Sequence, residues 1–263
     1  MKRFMFFVAM VCMFCFGTVG AYDGASTSTA NDYGEKERRY EFISDLLSAQ
    51  LQVDPAFQVN SFNALSRYPG LQGKIVKQIP FSDATGNYVV VFTYKYYEKD
   101  DPYFSDPEYI LRNKEMFVYM YKFNWGNTVK VWRIYDYNKN CDDINSCILR
   151  LKDVRITDVD KNGQAEIWIT YAMHYGSDVS PSTMKIIMYE GNKKHAMRGC
   201  DKVCWETSDC YYGGNYKADA AMRENPVFAR YAKQLWEKMA IKDSSWHPSC
   251  AKKKQCSNPD CSF

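Results

Sequence analysis

The chain has 263 residues, with 34 Lys and Arg against 31 Asp and Glu, for a formal charge of +3. Without residues 1–21, which carry Lys2 and Arg3, the charge is +1 (+3 − 2), and the clustered positive charge that phosphate backbones demand is missing, which excludes a nucleic-acid partner. The remaining 242 residues (263 − 21) suffice for one large domain or two small ones with a real core.

In chain order, Met1-Lys2-Arg3, the apolar run Phe4 to Gly17 and the small-residue end Val19-Gly20-Ala21 make the three parts of a secretory signal peptide, with cleavage expected after Ala21. The run is short for a membrane span, so no stable span is expected after cleavage and the mature chain is expected outside the cytoplasm. Residues 22–34 are small and polar and predict a flexible leader. From Glu35 to Gln52 the apolar Tyr40, Ile43, Leu46, Leu47 and Leu51 recur at helical spacing, and Glu35 and Glu37 suit the positive end of a helix dipole. This predicts an N-terminal helix.

Eight strands are predicted next: Lys74 to Ile79, Tyr88 to Tyr97, Glu115 to Phe123, Val129 to Tyr135, Ile148 to Ile156, Glu166 to Met173, Thr183 to Tyr189 and Lys194 to Arg198. They are rich in β-branched and aromatic residues and separated by turn formers such as Ala84-Thr85-Gly86-Asn87 and Glu190-Gly191-Asn192. Short connections imply antiparallel pairing. Val118 and Met120 alternate with Phe117, Tyr119 and Tyr121, so both faces of that strand are apolar and both are covered. Asn225-Pro226 then caps and starts a second helix, with Phe228, Tyr231, Ala232, Leu235, Trp236 and Met239 on one core-facing stripe. The fold class is therefore mainly β (α+β): an antiparallel, propeller-like or two-layer sheet flanked by an N-terminal and a C-terminal helix, in one domain over residues 35–242. Residues 243–263 read as a cysteine-rich tail held by cross-links, in which Lys252-Lys253-Lys254 is a solvated face.

Between the fifth and sixth predicted strands, Asp158-Val159-Asp160-Lys161-Asn162-Gly163-Gln164-Ala165-Glu166 places oxygen donors at every second position around a glycine turn. Calcium takes roughly 6–8 oxygen ligands at about 2.3–2.6 Å, and Asp158, Asp160, Asn162, the carbonyl of Gln164 and Glu166 supply five or six with water completing the shell. In an EF-hand a helix follows and a bidentate Glu closes the loop at about position twelve. Here that position is Ile169, inside the alternating run from Glu166 to Tyr171, so the loop feeds a strand and resembles the calcium loops of propeller-type blades. An acidic hairpin turn without metal is the bland alternative, because Asp, Asn and Gly are ordinary turn formers.

Eight cysteines follow the leader: Cys141, Cys147, Cys200, Cys204, Cys210, Cys250, Cys256 and Cys261. An even number in an exported chain points to disulfides, and Cys141 and Cys147 bracket a polar loop that they can close locally. Zinc is disfavoured, since no Cys-x-x-Cys pair exists among these eight and His174, His195 and His247 lack ligand spacing.

Catalytic signatures are weak. Ser182-Thr183-Met184-Lys185 matches the Ser-x-x-Lys of penicillin-binding enzymes, but it opens a strand rather than a helix and no Lys-Thr-Gly accompanies it. Asp178, Glu190 and Glu206 are loop acids that a carboxylate-dependent hydrolase would need in pairs, and are more simply solvated. No catalytic residue is assigned. Asp178-Val179-Ser180-Pro181 is either a plain turn or a ligand-facing loop. With 21 Tyr and 6 Trp in the chain, Tyr211, Tyr212, Tyr216 and Trp205 are candidates for stacking on sugar rings. The candidate binding set is Asp178, Ser180, Lys185, Tyr211, Tyr212 and Tyr216.

Several segments in order resemble a family of exported bacterial proteins named for surface polysaccharide biosynthesis. They are Val129 to Asp136, Ile156 through Tyr171, Asp178 to Gly191, His195 to Gly199 and Gly213 to Lys217, and with the closing helix the resemblance spans about Lys74 to Met239. It implies a protein of the periplasm or cell surface of a bacterium. The family name marks a cellular association rather than a reaction. The cysteines from Cys200 to Cys210 and the tail from Cys250 depart from its pattern. Two functions are carried forward: a non-catalytic, calcium-stabilised envelope protein that binds a surface glycan or an envelope protein, and, as the alternative, a carboxylate-dependent glycan hydrolase or transferase.

Overall fold

The computed structural model describes residues 49–59, 67–100, 110–124, 127–142, 147–176 and 180–256. The signal peptide, the leader, residues 35–48 of the expected N-terminal helix, Asp178 and Cys261 lie outside the described residues.

All eight expected strands are present, each longer than its apolar centre because regular ladders extend into the polar flanks. Strands β2 (Lys74–Asp83), β3 (Gly86–Asp100), β4 (Ile110–Asn124) and β5 (Asn127–Cys141) form a four-stranded antiparallel meander. A second meander consists of β6 (Cys147–Thr157), β7 (Glu166–Tyr175), β8 (Thr183–Glu190) and β9 (Lys193–Cys200), likewise antiparallel. It is extended to six strands by β1 (Gln50–Val53) beside β6 and β12 (Tyr216–Ala218) beside β9.

The end of the expected N-terminal helix is corrected by β1. Gln50-Leu51-Gln52-Val53 pairs in parallel with Asp153 to Ile156, because these residues also alternate with period two and the open edge of β6 offers them a ladder. The propeller alternative is also corrected. Each meander has one largely apolar face, and these faces pack on each other, so the chain buries its core without radial closure.

That core joins Val90, Phe92, Val118, Met120, Trp132 and Ile134 of the smaller sheet to Leu151, Ile156, Ile167, Ile169, Tyr171 and Ile187 of the larger one. As the alternation in β4 requires, Phe117, Tyr119 and Tyr121 form a separate cluster on the outer face, covered by Tyr68 and Leu71. The opposite face of the larger sheet carries Trp168, Met184, Ile186, Met188 and Met197, against which Phe228, Ala232, Leu235 and Trp236 are buried. These last belong to helix α2 (Pro226–Met239), which follows the short α1 (Ala220–Glu224). Its start is as expected: the Asn225 side chain accepts from the N–H groups of Val227 and Phe228 at 3.0 and 3.3 Å, with Pro226 in the first turn. Each large side chain so buried contributes about 1.5–3 kcal/mol.

A third, small sheet consists of β10 (Lys202–Cys204), β11 (Tyr212–Gly213) and β13 (Ile241–Trp246). The tail is thus partly built into the sheet through β13, which runs parallel to β10. Disulfides Cys204–Cys250 and Cys210–Cys256 fasten the residues that follow, and Cys141–Cys147 closes its loop locally, as expected. Cys200 is cross-linked as well. Disulfides are typical of exported chains, and no helix among the described residues is long and apolar enough to cross a membrane.

Candidate metal centre

The loop between β6 and β7 is a chain of side chain to backbone turns. Asp158 Oδ2 accepts from Gly163 N at 3.0 Å, Asp160 Oδ1 from Asn162 N at 3.2 Å and Asn162 Oδ1 from Gln164 N at 2.7 Å. Lys161 and Gly163 take positive φ of 63° and 82°, which folds the donors inward, and only glycine adopts the second without strain. Asp158, Asp160 and Glu166 each bring one carboxylate oxygen within 4.8 Å of the others. Oxygens on opposite sides of one ion bound at about 2.3–2.6 Å stand about 4.6–5.2 Å apart, so this triad can hold a single metal ion.

Glu166 begins β7 and is fully buried. Thr157 Oγ1 donates to it at 2.8 Å, Val159 N at 2.9 Å and Asp160 N at 3.4 Å. A carboxylate has about four acceptor sites, and three donors leave one for a cation. Burial pushes its carboxyl up from 4.5 to about 7, against those hydrogen bonds and with a further push from the neighbouring Asp160 charge. A cation in the triad would reverse that rise by favouring the carboxylate. Asp158 Oδ1 supplies the independent test of fit: it is buried and has no hydrogen-bond partner. An orphaned anionic oxygen costs several kcal/mol unless something positive meets it, on the order of 1–3 kcal/mol or more. The donor set is all oxygen, which suits a hard divalent cation.

Of the expected ligands, three converge. Asn162 lies beside them, its amide donating to Asp160 Oδ2 at 3.1 Å and to Glu190 Oε1 at 2.7 Å. Gln164 turns its side chain toward Gly191, where an added Cβ would meet Nε2 at 2.6 Å. Three bracing groups were not visible in the linear sequence. Glu190 holds Asn162 from the β8–β9 turn; Asp83 Oδ2 accepts from Ala165 N at 3.0 Å; and Ala84 N donates to Gly163 O at 3.0 Å. The last two come from the β2–β3 turn, so the loop is where the two sheets are stitched together. Below it, Trp168 Nε1 donates to Thr157 Oγ1 at 2.9 Å, and the Trp168 ring meets Phe228 and Tyr231 of α2.

The candidate binding residues do not gather in one place. Ser180 precedes β8, and Lys185 lies in β8 with its Nζ 2.6 Å from Asp136 Oδ2 of β5. Ser182-Thr183-Met184-Lys185 does open a strand, not a helix. Tyr216 packs on Trp236 at 5.3 Å, on the helix side of the sheet. Tyr211 and Tyr212 sit in the disulfide-bonded region, 5.9 Å from Trp246 and 6.3 Å from Trp205. Comparison with protein-family models, curated proteins and solved structures returns no match.

Proposed function

We propose that the protein is an exported, calcium-stabilised, non-catalytic envelope protein that serves surface-polysaccharide assembly by binding a glycan or a partner protein. The observation that carries this reading is the triad of Asp158, Asp160 and Glu166 with the buried, unpartnered Oδ1 of Asp158 among its oxygens. Three carboxylates on one loop repel unless a cation joins them, and their oxygens, all within 4.8 Å of one another, suit a hard divalent cation such as calcium. The ion's role is to supply charge and fix the loop; Asp158, Asp160 and Glu166 hold it, and Glu166 also anchors the backbone of Val159 and Asp160 beneath it. Bracing to the β2–β3 and β8–β9 turns makes that role structural: it stiffens the rim of the sandwich. Disulfides and the resemblance of Lys74 to Met239 to exported polysaccharide-associated proteins support the envelope setting.

The test is calorimetric titration of the full chain with calcium after chelation, together with melting curves. Calcium at a hundredfold excess over its dissociation constant stabilises by about 2.7 kcal/mol, and Asp160→Ala abolishes the effect. Identical melting curves for the wild type in chelator and in calcium would overturn the reading.

A further inference from the structure

The larger sheet is wider than the smaller one that covers it. Asp136 on the edge strand β5 reaches Lys185 and, at 2.8 Å, the Tyr171 hydroxyl, which places β5 above β7 and β8; Ala196 of β9 is still in the sandwich core, and the Arg198 end of β9 and β12 lie beyond the overlap. On that overhang the register aligns like charges. Lys185 of β8 stands opposite Arg198 of β9, and Arg198 stands opposite Lys217 of β12. Directly opposed like charges on neighbouring strands destabilise a sheet. Here three cations fall in one row across three strands, on the face that elsewhere is sandwich core.

Two more cations join the row. Arg223 of α1 lines one cleft of about 360 Å³ together with Arg198, Lys217 and Asp219. Lys194 shares the Arg198 face of β9; burial, and then the charges of Arg198 and Lys185, lower its affinity for a proton. The acids present are largely committed. Asp136 accepts from Lys185 and Tyr171, and Asp219 caps α1 by accepting from Met222 N at 2.8 Å. Among the described residues, the half-buried Arg198 guanidinium has no protein acceptor. Five cations face two engaged carboxylates, so the surface carries an uncompensated charge of about +3 where a planar, bidentate donor is already in position.

We propose that this overhang is a recognition site for an acidic saccharide, with Arg198 clamping a carboxylate, sulfate or phosphate group and Lys217 and Arg223 flanking it. The proposal rests on the glycan-binding reading above and names the ligand's chemistry. Arg198, Lys217 and Arg223 line one compact cleft, not the extended basic track that a nucleic acid follows. It retains repulsion that an anion would relieve.

The experiment measures binding of an oligogalacturonate and of its fully methyl-esterified, neutral form to the full chain. Chelator is present so that calcium cannot bridge to the uronate, and the temperature is kept well below unfolding. The acid form is expected to bind at least about tenfold more tightly, and Arg198→Gln to weaken it by about tenfold or more. Lys233→Gln, an equal charge change on the exposed side of α2, leaves binding unchanged. Unliganded Arg198→Gln is expected to melt no lower than wild type, because the substitution relieves repulsion; a large drop would mark Arg198 as a structural residue and overturn the assignment. Equal binding of acid and ester, unaffected by Arg198→Gln, would overturn the acidic-saccharide site while leaving glycan binding intact. Binding of neither form would overturn both. Tighter binding of a single-stranded oligonucleotide of equal charge would show a polyanion surface instead.

Discussion

The pH dependence of the metal-free protein isolates Glu166. In the folded chain its carboxyl keeps a proton up to about 7, whereas in the unfolded chain it releases it near the ordinary 4.5. Between these values the native state binds more protons than the unfolded state, so stability falls as pH rises through the window, and the full loss is present above pH 7. The interval is worth about 3 kcal/mol. Calcium reverses the sign of the argument: it requires the carboxylate, so the ion removes the loss above pH 7 and competes with a proton below it, weakening about tenfold per pH unit. Urea unfolding followed by tryptophan fluorescence at pH 5 and pH 8 reads both effects, in chelator and in excess calcium. In chelator, wild type is expected to lose about 2.5 kcal/mol more than Glu166→Gln on going from pH 5 to pH 8. In calcium the difference between the two pH values shrinks for wild type only. Equal pH slopes for wild type and Glu166→Gln would refute the burial argument, and superimposed chelator and calcium curves at pH 8 would refute the metal.

Three further outcomes follow from packing. His195 is 1% exposed, packs edge-on against Phe228 and has no hydrogen-bond partner for either ring nitrogen. His195→Leu is expected to raise stability at neutral pH by about 1 kcal/mol, since it removes unsatisfied buried polar atoms; a raised urea midpoint confirms it and a fall refutes it. Phe228→Ala, at the centre of the sheet–helix interface, should cost about 3–5 kcal/mol and loosen the Trp168 environment seen in fluorescence, whereas a cost under about 1 kcal/mol would mean that α2 adds little. Cys204→Ser with Cys250→Ser removes a cross-link spanning 46 residues. Because Cys210–Cys256 still closes a nearby loop, the double substitution is expected to cost about 3 kcal/mol in denaturant unfolding, and no cost would show that the second cross-link and the small sheet suffice to hold this end.

Seven of the eight main strands were legible because they are dense in β-branched and aromatic side chains and bounded by turn formers, while Lys194 to Arg198 was legible chiefly from the Glu190-Gly191-Asn192 turn before it. The small sheet was not. Lys202-Val203-Cys204, Tyr212-Gly213 and Ile241–Trp246 carry no period of their own, and their pairing is set by contacts from far along the chain. Residues Gln50–Val53 illustrate a tie: Leu51 fits helical spacing with Leu47, yet the edge of β6 decides the outcome. In the β6–β7 loop the acidic triad was legible because Asp158, Asp160 and Glu166 are local in sequence. Glu190 and Asp83 were not, because they arrive from other turns, and the row of Lys185, Arg198 and Lys217 exists only once register sets these residues side by side.

The paired cross-links also change what a protease can accomplish. Cys204 and Cys210 lie on one side of α2, and Cys250 and Cys256 lie on the other. A single backbone cleavage anywhere between Cys210 and Cys250 therefore yields two fragments that stay covalently attached at two points. A nicked molecule migrates as an intact chain on a non-reducing gel and separates only after thiol treatment, so this end of the protein tolerates a cut that would sever an uncross-linked one.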